Sequence, residues 1–455
     1  MYLNIAYVQC VAVSLVWASL GYDVSLIVGL LSNDQWLAFN PNESLLGLVI
    51  AAFVIGATVI AIPSAYISDY IGRRESIRFG SIFSCVFIVL QTCSVDWRMF
   101  LAMRLLGGCA TAVSLINSSP YLTESCNRHR AILTALSPTF FYIGSTPGAW
   151  TAFGTLPIQS SWSWRLVVMF QLPWSLLQLV LISWCPESPQ WLYRQGKIEE
   201  AAAVLRGILG DNEADQVLQG FGQSREHGSW RHLIYDHRRL FLIVLFGLGT
   251  PWLGSGIIGS YLGPFLATLG IANHRRQIAL NGGLQVMQLV VSVICAFQVD
   301  KVGRRRLLVF SAISMLLCMT ALTTCAGVHA HGMSNTASMI AVVAIFLFLC
   351  SYNAGFTTVP GVYIAELMPA ELRMKAGGLS ALLSGIAMSM NQWLNPIALN
   401  ALGWQYLFVF DACLVGMIVA LFFVAPETKG MSLAEAEKVC DGYWLEIRPR
   451  RTSTS

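Results

Sequence analysis

Charge is scarce in this chain: Asp, Glu, Lys and Arg make up 11% of its 455 residues, less than half the about 25% usual in a soluble domain. So few charges cannot clothe two or three soluble domains, which excludes an ordinary water-soluble enzyme and leaves lipid to cover most of the surface. The net charge is only +4, and the basic residues sit in short groups between apolar runs. No extended basic face is therefore offered to nucleic acid. Metal-type CxxC pairs are lacking, since the twelve cysteines are scattered singly, most of them inside apolar runs (Cys85, Cys109, Cys295, Cys318, Cys350, Cys413); they read as packing residues. All seven histidines (His129, His227, His232, His237, His274, His329, His331) fall in predicted loops, so neither an intramembrane metal site nor a haem is expected, and no cofactor is implied. No Lys or Arg precedes Leu31, so the N-terminus reads as a first membrane helix rather than a secretory leader.

Apolar residues fill the space that charge leaves, at 55% of the chain and a mean hydropathy of +0.61. Stretches of the length that crosses a bilayer, about 20 residues, lie near 5–31, 44–66, 79–95, 99–122, 132–154, 166–185, 240–262, 277–298, 307–328, 338–364, 376–399 and 405–424. The expected fold is an all-α membrane protein of twelve transmembrane helices in two six-helix halves. The N-terminal half covers 1–185, a cytoplasmic linker with short helices 186–239, the C-terminal half 240–425 and a cytoplasmic tail 426–455. Nearly all of the 28 Lys and Arg residues fall on one set of connections; Arg98, Arg165, Arg275 and Arg276 are on the other and Arg104 is inside a span. Insertion retains positive charge inside, so both termini are expected in the cytoplasm. Asn42, in the Asn-Glu-Ser tripeptide of an outward loop, is a glycosylation acceptor by pattern.

The two halves repeat one another. Asp69, Gly72, Arg73 and Arg74 recur as Asp300, Gly303, Arg304 and Arg305, 231 residues on; Tyr121 and Glu124 recur as Tyr363 and Glu366, 242 on; Pro186 and Glu187 recur as Pro426 and Glu427, 240 on. Three pairs in one order at nearly one offset indicate a duplicated six-helix unit. An even number of spans per unit makes the repeats parallel, with a substrate near the midplane between them and alternating access by rocking. That architecture is a carrier's.

An acid followed by paired arginines at each cytoplasmic turn can bridge helix ends and lock an inner gate; the plainer reading is a set of topology determinants snorkelling to the interface. Repetition of the turn favours the gate. Within the spans the ionisable groups are Asp23, Arg104 and Asp411, each costing about 2.5–3.5 kcal/mol at a helix centre and so needing a partner or a wet cavity. Asp23 could take up a proton, because desolvation raises a carboxyl pKa and a nearby Arg104 would lower it again as the cavity rearranges. The plainer alternative is a static Asp23–Arg104 bridge. Asp411 is given no role. Gly254, Gly256 and Gly259 satisfy GxGxxG only formally, since no strand precedes them; closely packed or broken transporter helix is the better reading. Residues 196–209 and 432–440 have amphipathic patterns that could brace the cytoplasmic face.

These motifs resemble the sugar porter family of the major facilitator superfamily over nearly the whole chain: Gly21-Tyr22-Asp23, both GRR turns, Pro186-Glu187-Ser188-Pro189 with Trp191 and Leu192, and Pro426-Glu427-Thr428-Lys429-Gly430. Trp252, Gly254, Gly256 and Tyr261, Asn281, Gly282, Leu284 and Gln285, and Asn391, Gln392, Asn395 and Pro396 are similar to the lactose permease and cellodextrin transporter branch found in fungi. The resemblance implies proton coupling at Asp23 with Arg104, and substrate contacts at Gln285, Gln288, Trp252, Ser255, Tyr261, Ser145 and Ser384. It also implies an inner gate of Asp69, Arg73, Arg74, Glu124, Arg130, Glu187, Asp300, Arg304, Arg305, Glu366, Arg373 and Glu427. Amides and aromatics suit polyols, which need many oriented donors and acceptors.

The chain departs from the family pattern in places. Pro251 stands where the seventh helix generally has Gln, Ser145 replaces an amide in the fifth, and Ser384, Gly385 and Met388 stand where this branch is rich in Asn. After Glu124 the family's base is Arg130, one residue early, followed by Ala131 in place of Gly. The expectation is a monomeric proton-coupled importer of a sugar or related small metabolite, with the plasma membrane as its site. The alternatives are a carrier or exporter of a less hydroxylated metabolite, which a cavity poor in amides would suit, and a non-transporting nutrient receptor.

Overall fold

The computed structural model describes residues 2–39, 43–125, 137–209, 236–268, 273–296, 302–330, 335–357, 359–368 and 372–427, with a few isolated positions between them. Asn42, Arg130 and Asp300 lie outside those residues, as do 432–440 and the side chains of Glu366 and Arg373. Every described regular element is a helix, as a bilayer requires of a chain that satisfies its backbone polar groups within each segment. In order they are α1 (Tyr2–Leu31), α2 (Asp34–Phe39), α3 (Glu43–Ile71), α4 (Arg73–Thr92), α5 (Trp97–Ser125), α6 (Phe140–Thr155), α7 (Trp162–Met169), α8 (Leu172–Trp184), α9 (Pro189–Arg194) and α10 (Ile198–Leu209). The second half continues with α11 (His237–Gly249), α12 (Ser255–Ser260), α13 (Leu262–Thr268), α14 (His274–Ala296), α15 (Arg304–Ala330), α16 (Asn335–Gly355), α17 (Val359–Leu367), α18 (Arg373–Leu402) and α19 (Leu407–Val424).

Among the described residues nine stretches are long and apolar enough to cross a membrane. The last of these, Lys375–Val424, holds both α18 and α19, joined by the 3-10 turn Gly403–Tyr406. Two further passages are α6 and the interrupted run α11–α13, which together with the nine stretches make the twelve-helix fold expected from the sequence. The third passage starts at Arg73, six residues before the predicted 79, because Arg73, Arg74, Glu75 and Arg78 occupy its first turns and hide them from a hydropathy scan. The seventh is not the continuous span predicted at 240–262. Pro251 withholds a backbone donor inside the 3-10 turn Thr250–Trp252, and Gly254 sits at φ +96°, a backbone that only glycine adopts cheaply.

Glycine sets how closely the first half packs. A Cβ on Gly21 would lie 1.9 Å from the Phe141 carbonyl oxygen, and one on Gly144 would lie 1.8 Å from that of Ala18, so α1 and α6 touch backbone to backbone. Gly56 against Leu105 and Gly108 against Phe53 do the same for α3 and α5. Between membrane helices, where burial of apolar surface drives little, such close approach supplies the packing energy. The motif Gly21-Tyr22-Asp23 thus ties α1 to three neighbours: Gly21 to α6, the Tyr22 hydroxyl to the Val167 carbonyl of α7 at 2.9 Å, and Asp23 to Arg104 of α5.

Candidate functional site

Two faces of the bundle can be told apart. The linker face carries Gly72, Gly303 and the short helices α9 and α10; the far face carries the connections at 32–33, 93–96 and 156–161.

Asp23 lies eight residues, about 12 Å of helix, from the far end of α1. Arg104 grips it with both terminal nitrogens, Nη1 to Oδ1 at 3.2 Å and Nη2 to Oδ2 at 2.9 Å, and its Nε donates to the Val49 carbonyl of α3 at 3.2 Å. The guanidinium also lies 5.6 Å from the centre of the Phe53 ring. Both side chains are buried, at 4% and 2% exposure, so neither charge is tolerable without the other. One ion pair therefore couples α1, α3 and α5.

Elsewhere on α1 and on α6, hydroxyls of the first half meet amide side chains of the second. Gln277, Asn281, Gln285 and Gln288 fall on one face of α14 at helical spacing, and all four are buried. Ser145 of α6 donates to Gln285 Oε1 at 2.7 Å, Gln285 Nε2 donates to Asn281 Oδ1 at 3.2 Å, and Asn281 Nδ2 reaches Ser25 of α1 at 3.4 Å. Nearer the far face Ser32 donates to Gln277 at 3.3 Å, and His274 stands 3.6 Å from Asp34. The hydroxyl of Tyr142 on α6 donates to Asn353 of α16, whose Oδ1 also accepts from Thr357 at 2.7 Å. On α18, Gln392 donates to Ser260 at 2.8 Å, and Asn395 donates to Asn391 at 2.9 Å while accepting from Tyr406 at 2.9 Å. Asn353 Nδ2, Asn391 Nδ2 and Gln392 Oε1 are buried with no hydrogen-bond partner, an arrangement suited to a ligand rich in hydroxyls.

Of the predicted substrate contacts, Ser145 and Gln285 come together directly, and Gln288 follows on the same face of α14. Trp252 and Ser255 lie at the break in the seventh passage and Ser384 is half-buried on α18. Tyr261 is turned to another task, since its hydroxyl donates to the Gln392 carbonyl at 2.5 Å and fastens α12 to α18. Sequence reasoning missed Tyr142, Asn353 and Ser25, and left Asn281, Asn391 and Gln392 out of the site although it had noted their pattern. The seventh passage lacks amides between Pro251 and Ser260, but α14, α16 and α18 supply eight that are buried, namely Gln277, Asn281, Gln285, Gln288, Asn353, Asn391, Gln392 and Asn395.

At the linker face the turn residues form a lattice within each half. Arg73 meets Asp69 at 2.6 Å and Glu124 at 3.7 Å, and donates to Ser68 at 2.9 Å. Glu187 Oε1 accepts from the backbone N–H of Arg74 at 2.9 Å and of Ser188 at 2.8 Å, while Arg74 Nη2 caps the Ser183 carbonyl at 2.7 Å. Ser188 caps α9 and its hydroxyl donates to Glu124. Burial pushes the Glu187 carboxyl above its usual range, and the backbone donors pull it part of the way back. The second half repeats the plan: Arg305 Nη2 donates to the Phe422 carbonyl at 2.7 Å, Glu427 lies against Gly303, and Arg304 opens α15. Tyr121 donates to the Pro186 carbonyl at 2.6 Å and Tyr363 to that of Pro426 at 2.5 Å.

Residues 9–440 match the family described as Sugar (and other) transporter. The chain is 26% identical to the arabinose-proton symporter of Bacillus subtilis (strain 168), over 92% of this chain and 91% of that protein. It is 27% identical to the MFS-type transporter criB of Aspergillus cristatus, over 96% and 95%. Its fold is similar to that of the major facilitator proton:xylose symporter XylE bound to 6-bromo-6-deoxy-D-glucose, with a TM-score of 0.80 at 22% identity, covering 96% of this chain and 100% of that one. The inward-open xylose transporter XylE from E. coli gives 0.78 at 22%, with the same coverage.

Proposed function

Because the chain belongs to the Sugar (and other) transporter family, we propose that it is a plasma-membrane importer driving uptake of a sugar or closely related polyol with a proton bound at Asp23. The observation that carries the reading is the buried bidentate Asp23–Arg104 pair on a helix whose Ser25, two residues on, meets the amide-lined junction of the two halves. A proton on Asp23 cancels the charge that holds Arg104, and Arg104 also grips Val49, so protonation loosens α1, α3 and α5 together. Substrate hydroxyls would replace the bonds that Ser145, Gln285, Asn281 and Ser25 make with one another. The cross-half contacts of Ser32, Asp34, Gln277 and His274 lie toward the far face, which we place outside the cell with both termini in the cytoplasm. The chain acts as a monomer in this reading. The Asn281-Gly282 and Asn391-Gln392 patterns support the lactose permease and cellodextrin branch.

A less hydroxylated cargo is the second reading, favoured by the absence of any amide between Pro251 and Ser260 in the seventh passage. The test is external pH in cells lacking their own sugar carriers and expressing this protein, as arabinose, xylose, glucose, lactose and cellobiose are added singly. Alkalinisation with one sugar, abolished in Asp23→Asn, is the expected result. Silence across the panel with surface expression confirmed overturns sugar symport and turns the search to the second reading.

A further inference from the structure

Asp23 borders a crevice inside the first half, away from the junction of the halves. This small crevice, with room for about one water molecule, brings the polar side chains of Asp23, Ser84, Gln91, Thr111 and Gln171 together against Phe53, Ile88 and Gly107. Ser84 of α4 and Thr111 of α5 lie 3.4 Å apart, oxygen to oxygen. Gln91 and Gln171 are each more than nine-tenths buried, and Gln91 Nε2 and Gln171 Oε1 have no hydrogen-bond partner. One is a donor and the other an acceptor, so a single water can accept from Gln91 and donate to Gln171. Burying two such groups unpaired in a lipid-embedded half is costly.

Position gives the crevice a direction. Gln91 precedes the last residue of α4, at the far face, while Gln171 interrupts the sixth passage between α7 and α8. That break is about 13 Å into the bundle, nine residues beyond Trp162, close to the depth of Asp23. At the mouth Arg165 ties α7 to the end of α4 through the Thr92 and Ser94 carbonyls, both at 2.9 Å. Arg104 is the charged group that meets Asp23, and the other groups lining the crevice are neutral.

We infer that Gln91 and Gln171 hold water that carries protons between the far face and Asp23 through the first half, apart from the path taken by the substrate. In that route a hydronium ion gives its proton to a carboxylate oxygen of Asp23 and becomes water, while Arg104 keeps its charge. The inference rests on Asp23 being the proton site. It differs from it in predicting that the acid titrates whether or not the junction of the halves is open or occupied.

The test needs no substrate. Infrared spectra of the purified protein in lipid nanodiscs, acidified in water and transferred to deuterium oxide, follow the protonated carboxyl band that Asp23→Asn removes. In the wild type this band is expected to shift rapidly. In Gln91→Leu/Gln171→Leu, which keeps side-chain volume but no donor or acceptor, exchange is expected to slow by about tenfold or more. Gln91→Asn/Gln171→Asn, which retains the amides, is expected to restore it. Exchange at the wild-type rate in the leucine variant, with the fold confirmed by an unchanged melting temperature, overturns the route. If no band is removed by Asp23→Asn at any pH, it is the assignment of Asp23 as the proton site that fails, and the route fails with it.

Discussion

Arg104 holds Asp23 through two nearly parallel hydrogen bonds, 2.9 and 3.2 Å long, at a depth where each side chain is almost wholly hidden from solvent. Such a pair has two stable conditions: both charged and clamped, or the acid neutral and the clamp released. Asp23→Asn fixes the second. Uphill accumulation of substrate is expected to be lost while exchange across the membrane continues, since exchange requires no proton to come or go. Counterflow and uptake assays on one preparation check this, and loss of both would point to a structural role instead. Arg104→Leu leaves the acid buried alone, and a destabilisation of about 3–5 kcal/mol should appear as a lowered melting temperature, relieved in Asp23→Asn/Arg104→Leu, where no buried charge is left unpaired.

Gly72 joins α3 to α4 in a single residue at φ 105°, ψ 162°, a region essentially reserved for glycine and costing others of order 1–3 kcal/mol. A Cβ there would also lie 2.5 Å from Glu187 Oε2, whereas one on Gly303 would stand 3.0 Å from the carboxylate of Glu427. Gly72→Ala is therefore expected to lower the melting temperature more than Gly303→Ala does. Equal effects would show that backbone strain alone decides.

Glu187 supplies a pH dependence outside the membrane. Its carboxyl is raised from the ordinary 4.5, chiefly by burial, so the folded protein holds this proton more tightly than the unfolded chain does. The stability it contributes is complete below the ordinary value and declines as pH rises through the raised one. Melting temperatures across that window should fall with pH in the wild type. Glu187→Gln, which keeps an oxygen for the N–H groups of Arg74 and Ser188 but cannot ionise, should flatten the slope.

The duplication was legible because its signature residues act through fixed geometry. Tyr121 meets Pro186 as Tyr363 meets Pro426, within 0.1 Å of each other in length, and neither bond could form without the same helix ends converging in both halves. Asp23 and Arg104 were legible because a charge in a span needs a partner and few were on offer. Asn353 and Tyr142 were not. An amide or a phenol in an apolar run gives no sign of whether it faces lipid, its own half or the junction, and the separation of 211 positions between these two is closed only by the packing of the halves. The break at Pro251 and Gly254 was visible as composition, but a hydropathy window averages over it.

The Ser145–Gln285 bond allows the substrate site itself to be tested. The two groups come from different halves and each satisfies the other at 2.7 Å; under the proposed function a substrate hydroxyl must displace this bond or share it. Gln285→Ala removes a side chain that also donates to Asn281. Loss of such a hydrogen-bonding group is expected to raise KM for the transported sugar by about tenfold, the worth of roughly 1.4 kcal/mol. Ser145→Ala alone should raise it less, because the amide it frees can turn wholly to the substrate. If the two act as one unit, the double variant should raise KM no further than Gln285→Ala, a non-additivity of about 1 kcal/mol or less. Strictly additive effects would mean that Ser145 and Gln285 hold different parts of the substrate, and that the bond between them belongs only to the empty carrier.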